Sequence, residues 1–229
     1  MTTPGIEWGA ILLTVRLATW VSAILLVIGI PIAYWLAFSR WRWVFVAESV
    51  VALPLVLPPT VLGLYILIAV GADSPIGQAW TRLTGHGLAF SFEGLVLASV
   101  LYSLPFTVQP IAAAFSRVDT SLIDASATLG ASRWRTFRAI ILPLSRNGIL
   151  TGVVLSFAHT VGEFGVVLMV GGNLPGATRT VSLAIYDHVQ ALEYGAANRT
   201  ALLLVAFSFL VLVFTYAMQR RPWSPVPGR

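Results

Sequence analysis

The sequence predicts an all-α integral membrane protein with five transmembrane helices, and three observations support this class. The 229 residues have a mean hydropathy of +0.85. Only 10% of them are charged, whereas soluble domains carry roughly 25% charged residues. Five apolar runs reach the length of about 20 residues that crosses a hydrocarbon core as a helix. These runs occupy 9–38, 49–72, 94–115, 147–172 and 200–218.

The runs define one transmembrane domain over 9–218, followed by a short tail at 219–229. The first run is too long for a signal peptide and lacks a basic region before it, so we expect it to be retained. The absence of cysteine excludes disulfides and cysteine-ligated metals, and we expect no metal site.

The distribution of arginine predicts the orientation in the membrane. All 14 basic residues are arginine, and ten lie after run one, between runs three and four, or after run five. Arg82, Arg179 and Arg199 lie on the other side, and Arg16 lies within run one. The positive-inside rule therefore places the N-terminus outside and the C-terminus in the cytoplasm. We interpret the net charge of +5 as a consequence of the membrane topology, and we expect no nucleic-acid partner.

Three of the five runs contain proline, which favours a transporter. Pro54, Pro58 and Pro59 lie close together in run two, and Pro105 and Pro110 lie in run three. Proline removes a backbone donor and clashes one turn back, so run two must kink or start late. The kink serves either helix packing or a transport pathway, because freed backbone groups at membrane depth need protein or water around them.

A polar insert at 119–143 separates runs three and four. Asp119 can cap a first helix, and Asp124 is expected in its first turn, where the helix dipole favours an acid. Gly130 is expected to end this helix with a positive φ, and Ser132 can cap a second helix. The sequence thus predicts two short cytoplasmic helices joined by a glycine.

The second helix of the insert carries a narrow apolar stripe. Trp134, Phe137 and Ile141 recur at helical spacing, and Pro143 suits the first turn of the next span. This pattern alone leaves two interpretations open: a helix lying on lipid headgroups, or a face that contacts a protein partner.

A motif in the insert favours the protein partner. Asp124-Ala125-Ser126, Gly130 and Ile140-Ile141-Leu142-Pro143 resemble the EAA motif of type I ABC importer permeases, which reads E-A-A, three residues, G, nine residues, I-x-L-P. Asp124 replaces the usual Glu and Ser126 replaces the second Ala. The resemblance implies a coupling helix that docks in a groove of a cytoplasmic ATPase. The residues assigned to coupling are Asp124, Ala125, Gly130, Ala131, Trp134, Phe137, Leu142 and Pro143.

A wider resemblance covers most of residues 10–218. "LPLVLPPTVLG", "TLGASRWRTFRAIILPLS", "VGEFGVVLMVGGNLPGATRT" and "SLAIYDHVQ" are together similar to the permease subunits of molybdate/tungstate importers. The permeases of sulfate/thiosulfate importers are the alternative family.

The resemblance implies a permease in the bacterial inner membrane that transports a tetrahedral oxyanion. It further implies a second copy of this chain, two ATPase subunits and an external oxyanion-binding protein. ATP and magnesium would then bind the ATPase, so we expect no cofactor on this chain and contacts with membrane lipid around it.

Ionisable groups inside apolar runs are costly and therefore candidates for function. Glu163 and His159 lie four residues apart in run four, which predicts a shared helix face. A carboxylate repels an anion, so we expect Glu163 to pair structurally with Arg179 or Arg16, and Arg16 to snorkel towards the membrane surface. The candidates for the pathway or its gate are Pro58, Pro59, His159, Gly162, Glu163 and Gly165.

The segment after run four is rich in turn-forming residues and contains Thr178, Arg179 and Thr180. An arginine between two hydroxyls suits a tetrahedral oxyanion, an acidic patch on a binding protein, or an internal salt bridge. These three roles stay open at this point.

Other classes of protein fit less well. The chain has no P-loop motif and no lysine to complete one, so ATP hydrolysis must belong to a partner and the chain is expected to be non-catalytic. Ser156 and His159 lack the context of a hydrolase nucleophile. A secondary transporter is the main alternative, but no internal repeat or cluster of intramembrane ion ligands is visible.

Overall fold

The computed structural model describes residues 7–219, and this range is helical without any β-strand. The predicted tail 219–229 lies outside the described residues beyond Gln219, as do Arg220, Arg221 and Arg229. In chain order the α-helices are α1 (Trp8–Phe38), α2 (Val44–Val56), α3 (Pro59–Val70), α4 (Pro75–Thr84), α5 (Phe92–Phe115), α6 (Thr120–Thr128), α7 (Arg133–Thr136), α8 (Leu142–Leu144), α9 (Arg146–Gly162), α10 (Gly165–Gly171), α11 (Val181–Gln190) and α12 (Tyr194–Gln219). A π-helical segment, Phe137–Ile141, joins α7 to α8.

Length and composition make three of these helices candidate membrane spans: Trp8–Phe38, Phe92–Phe115 and Tyr194–Ala217. Two bent helix pairs raise the number to five if each pair forms one span. They are α2 with α3, bent by 111°, and Arg133–Leu144 with α9, bent by 70°. The predicted runs 9–38, 94–115 and 200–218 thus correspond to single helices.

A bundle of α1, α5 and α9 forms the centre of the fold, because small residues let these helices approach closely. Gly29 of α1 lies against Thr107 of α5. A Cβ atom on Gly152 of α9 would lie 2.9 Å from the Thr107 carbonyl oxygen and 3.2 Å from the Ile111 side chain. The backbones of α5 and α9 therefore touch without intervening side chains.

The kink predicted for run two is confirmed, and it lies between α2 and α3. Pro58 is the N-cap of α3 and Pro59 is its first residue, where a missing N–H costs nothing. Pro54, Pro105 and Pro110 lie within helices that continue past them.

Run four was predicted as one helix over 147–172, and this was wrong. The helix ends at Gly162, Glu163 has an extended backbone with φ −69° and ψ 138°, and α10 begins at Gly165. The cause is packing against α3: a Cβ on Gly165 would lie 2.7 Å from Pro59. The two interrupted helices therefore meet at their breaks.

Aromatic side chains fix the insert to the end of the bundle. Phe137 of the π-helical segment makes edge-on contacts with Tyr34 of α1 and with Phe115 of α5, at centroid distances of 5.3 and 6.1 Å. Phe115 and Ile141 are buried in the same cluster. The insert thus continues the core of the bundle and is not a free loop.

The close approach of α5 and α9 gives a test by substitution. We expect Gly152→Ala to lower the free energy of unfolding by about 1–3 kcal/mol, since the new methyl group meets backbone atoms that cannot rotate away. Thermal unfolding in detergent measures the effect. Gly195→Ala is the matched control, because no atom lies within 4 Å of its Cβ position. Equal stability of the two variants would contradict the packing described.

Candidate functional site

The insert has the two helices and the glycine that the sequence predicts. Oδ1 of Asp119 accepts the N–H of Ser121 at 2.8 Å, which caps α6 and keeps the pKa of the Asp119 carboxyl below its usual value. Gly130 has a φ of +77°, a conformation that side chains rarely adopt. The Ser132 hydroxyl accepts the N–H of Arg135 at 3.3 Å and caps α7. These parts of the prediction are confirmed.

Ser126, which replaces the second Ala of the EAA pattern, joins the two helices of the insert. Its hydroxyl lies 2.8 Å from that of Thr136, and both residues are buried. Ser126 also donates to the Ile123 carbonyl at 2.7 Å. An alanine could not make this link, so Ser126 joins α6 and α7 into one unit through Thr136, which was not among the predicted residues. A serine and a threonine ten residues apart were the only signal.

Asp124 does not lie in the first turn of its helix, contrary to prediction. The helix begins at Thr120, which places Asp124 in the second turn, and no acidic residue occupies the first. Asp124 and Ala125 are exposed. Their neighbours Leu122 and Leu129 are 45% and 88% exposed. The sequence analysis missed both leucines, although large apolar side chains on a short polar helix are a signal for a protein contact.

The apolar stripe of the insert is divided between two environments. Trp134 is 67% exposed and stacks on Phe137 at 5.6 Å. Phe137 and Ile141, however, pack into the core with α1 and α5, and so cannot form a docking face as predicted. The physical reason is the widened π-helical turn, which directs them at the bundle. Ala131 and Leu142 are half-buried, and Pro143 is exposed beside the 70° bend.

Three of the pathway candidates lie close together. Pro58, Pro59 and Gly165 meet where α3 and α10 begin. Gly162 is exposed, with open space at its Cβ position.

Glu163 and His159 do not share a helix face, because the helix ends between them. His159 lies 2.9 Å from the Ser103 hydroxyl through Nδ1 and stacks on Phe106 at a centroid distance of 3.9 Å. Ser103 also lies 3.1 Å from the Thr160 hydroxyl. These contacts link α5 to α9 through polar residues that the sequence analysis missed, since isolated Ser and Thr in apolar runs give no pattern.

Glu163 is only 4% exposed and does not pair as predicted. Among residues 7–219, neither of its carboxylate oxygens has a hydrogen-bond partner. The neighbouring Ser99 hydroxyl on α5 is also buried and lacks the geometry of a hydrogen bond. The two predicted partners lie elsewhere: Arg179 binds other carboxylates, and the Arg16 guanidinium lies 4.3 Å above the Phe92 ring.

Arg179 forms the centre of an ion-pair cluster at the end of the bundle opposite the insert. Its Nη2 lies 3.0 Å from a carboxylate oxygen of Glu7 and 3.0 Å from one of Asp187. The His188 ring lies 3.3 Å from Glu7 and 2.9 Å from Glu193. Of the three roles left open for Arg179, the structure shows the internal salt bridge. Across the described part of the chain, no group of three or more His, Asp or Glu residues is arranged to hold a metal ion.

The threonines beside Arg179 point inwards. The Thr178 hydroxyl donates to the Gly171 carbonyl at 2.6 Å and accepts the N–H of Leu174 at 2.9 Å, which closes the loop after α10. Thr180 is 1% exposed. Neither hydroxyl is available to an anion in this conformation, which is a correction to their predicted role.

Comparison with known proteins identifies relatives over nearly the whole chain. The model of the family described as "Binding-protein-dependent transport system inner membrane component" matches residues 29–224. The chain is 53% identical to the molybdenum transport system permease protein ModB of Azotobacter vinelandii, over 93% of this chain and 95% of the relative. It is 38% identical to the protein of the same name from Escherichia coli K12, over 93% and 94%.

Solved structures share the fold at low sequence identity. A chain of the MetNI methionine ABC transporter in an inward-facing conformation aligns with a TM-score of 0.70 and 17% identity, covering 92% of this chain and 95% of that one. A chain of a bacterial alginate ABC transporter, in complex with a periplasmic protein that carries an alginate pentasaccharide, aligns with a TM-score of 0.68 and 18% identity, covering 93% and 78%.

The ion-pair cluster gives a second test. We expect Arg179→Gln to lower the free energy of unfolding by about 1–3 kcal/mol, because Glu7 and Asp187 would remain close together without a cation. Thermal unfolding in detergent measures this loss. Arg82→Gln removes the same charge from an exposed residue of α4 and serves as the control. If Arg179→Gln is as stable as Arg82→Gln, the cluster does not stabilise the fold.

Proposed function

Because this chain belongs to the family of binding-protein-dependent transport system inner membrane components, we propose that it is the permease subunit of an ATP-driven importer of molybdate. The observation that carries the substrate is the 53% identity to a molybdenum transport permease across 93% of the chain. Since both proteins match almost end to end, the likeness covers the insert and both helix breaks. The protein is accordingly a non-catalytic component of the inner membrane.

We propose five spans, with the N-terminus outside and the C-terminus in the cytoplasm. The two bent pairs count as one span each in this topology. The arginines of the insert then lie in the cytoplasm, as the positive-inside rule requires. The ion-pair cluster of Glu7 and Arg179 lies on the outer side, with the insert at the opposite end.

The insert is the proposed contact with a cytoplasmic ATPase. Leu122, Leu129 and Trp134 expose apolar surface on a capped helical unit, which suits docking in a groove of a partner. ATP and magnesium would bind that partner, and this chain would bind no cofactor. A second copy of the chain would complete the pathway on a two-fold axis, and an external binding protein would deliver the anion.

The internal contacts of the insert suggest how motion at the ATPase reaches the membrane. Phe137 and Ile141 fix the insert to α1 and α5, and α8 leads directly into α9. A push on α6 would therefore tilt these helices together, while the break at Glu163 lets α10 move differently from α9. Such a movement closes one end of the pathway and opens the other, which is alternating access.

We propose that the external binding protein selects which oxyanion is transported. Arg179, the arginine predicted to suit an oxyanion, is already paired with two carboxylates. Since no other contact in the described chain favours one tetrahedral anion, tungstate and sulfate or thiosulfate are the alternative substrates. An ATPase-independent secondary transporter is the alternative mechanism.

The substrate is tested with the complex of this chain, its ATPase and its binding protein in lipid vesicles. We expect molybdate to stimulate ATP hydrolysis most strongly, with tungstate and sulfate as the compared anions. Stronger stimulation of ATP hydrolysis by sulfate than by molybdate would indicate that the chain is a sulfate permease. Uptake without any ATPase would favour the secondary transporter.

Coupling is tested at Gly130. We expect Gly130→Ala to reduce anion uptake per ATP hydrolysed, because a side chain at this φ costs about 1–2 kcal/mol and reorients α6 against α7. Gly85→Ala is the matched control: Gly85 has a φ of +81° and equally open space, but lies at the end of α4. Equal coupling in both variants would contradict the proposed role of the insert.

A further inference from the structure

An apolar groove of about 660 Å³ runs along the outer surface of α1 and ends at the insert. On α1 it extends from Leu26 to Tyr34, about 12 Å of helix. Phe137 and Leu142 close it on the side of the insert. Val27, in its wall, is 72% exposed within this chain. Of the residues that line the groove, only Trp134 also belongs to the surface proposed to contact the ATPase.

The end of the groove beside the insert is basic. Arg133 and Trp134 line it there, whereas no acidic residue lines any part of it. Arg133 is exposed and makes no ion pair with any residue between 7 and 219. Tyr34 also lines the groove, and its hydroxyl has no hydrogen-bond partner in that range. Arg133 and Tyr34 thus both line the groove with donors that no described residue uses.

The surroundings of this end match the boundary between hydrocarbon and water. Trp35, 44% exposed, and Trp41, 51% exposed, lie 6.1 Å apart at the end of α1. Tryptophans of this kind are enriched at the membrane interface. The segment Arg133–Leu144 is bent by 70° from α9, so it runs closer to the membrane plane than a spanning helix does.

From this geometry we propose that the groove is a binding site for an anionic phospholipid. An acyl chain lies along Leu26, Val27 and Ile30, and the headgroup phosphate accepts hydrogen bonds from Arg133 and the Tyr34 hydroxyl. A guanidinium suits this role because it pairs with phosphate through two parallel N–H bonds. Basic pockets beside spanning helices recognise lipid headgroups by the same chemistry.

A lipid fits the groove better than other occupants do. Free phosphate would use Arg133 but leave the apolar length of the groove empty. A second copy of the chain would bring another apolar helix to α1 but would also have to place one of its nine carboxylates against Arg133. The lipid satisfies both ends, since an acyl chain and a phosphate are joined in one molecule.

The test is native mass spectrometry of the purified transporter complex, with phosphatidylglycerol and phosphatidylcholine offered as probes. We expect the wild-type complex to retain phosphatidylglycerol at least about ten-fold more than phosphatidylcholine, a preference of about 1.4 kcal/mol. Arg133→Gln should abolish this preference. Arg117→Gln, which removes an exposed arginine near the end of α5, should keep it.

Several outcomes would overturn the site. They are equal retention of the two lipids by the wild type, an unchanged preference in Arg133→Gln, or a preference lost equally in both variants. Displacement of the bound lipid by inorganic phosphate at equal concentration would also overturn it, since the acyl chain would then contribute nothing. If Arg133→Gln does not assemble, Tyr34→Phe retains the ring that packs on Phe137 and should weaken the preference on its own.

Discussion

A break in a membrane helix must be covered by protein or line a water-filled cavity, and this requirement organises much of the chain. Lipid cannot satisfy the backbone groups that a break leaves free. Here the break between α2 and α3 lies against the break between α9 and α10, through the contact of Pro59 with Gly165. The bundle of α1, α5 and α9 packs around this region through glycines that let backbones touch. The two helix breaks therefore cover each other. As a result, α10 can differ in direction from α9 without exposing the first residues of α10 to lipid.

The same bundle gives the insert its mechanical properties. A helical segment joined to the membrane domain only through its chain ends would absorb a push by bending at its connections. Here Ser126 and Thr136 join α6 to α7, and Phe137 and Ile141 anchor the following turn in the core. The apolar surface that the insert leaves exposed is consequently formed by Leu122, Leu129 and Trp134, while Phe137 and Ile141 pack in the core. One short segment thus combines an exposed contact surface with a buried anchor.

Much of this arrangement could be predicted from the sequence, because its determinants are local. The length of the apolar runs predicted α1, α5 and α12, and the prolines of run two predicted the kink before α3. Asp119, Gly130 and Ser132 define the insert by capping. The break at Glu163 could not be predicted in this way, since it depends on a distant proline and no proline marks it locally. The partner of Arg179 was missed for a similar reason: Glu7 precedes the first span and belongs to no pattern.

The pairing of Glu7 with Arg179 has a consequence for how the protein is made. The two residues are 172 positions apart, so Glu7 is synthesised long before Arg179. Asp187, His188 and Glu193, the other members of the cluster, follow later still. The N-terminal end of α1 therefore lacks these ion pairs until α11 has been synthesised, whereas α12 contributes no residue to them.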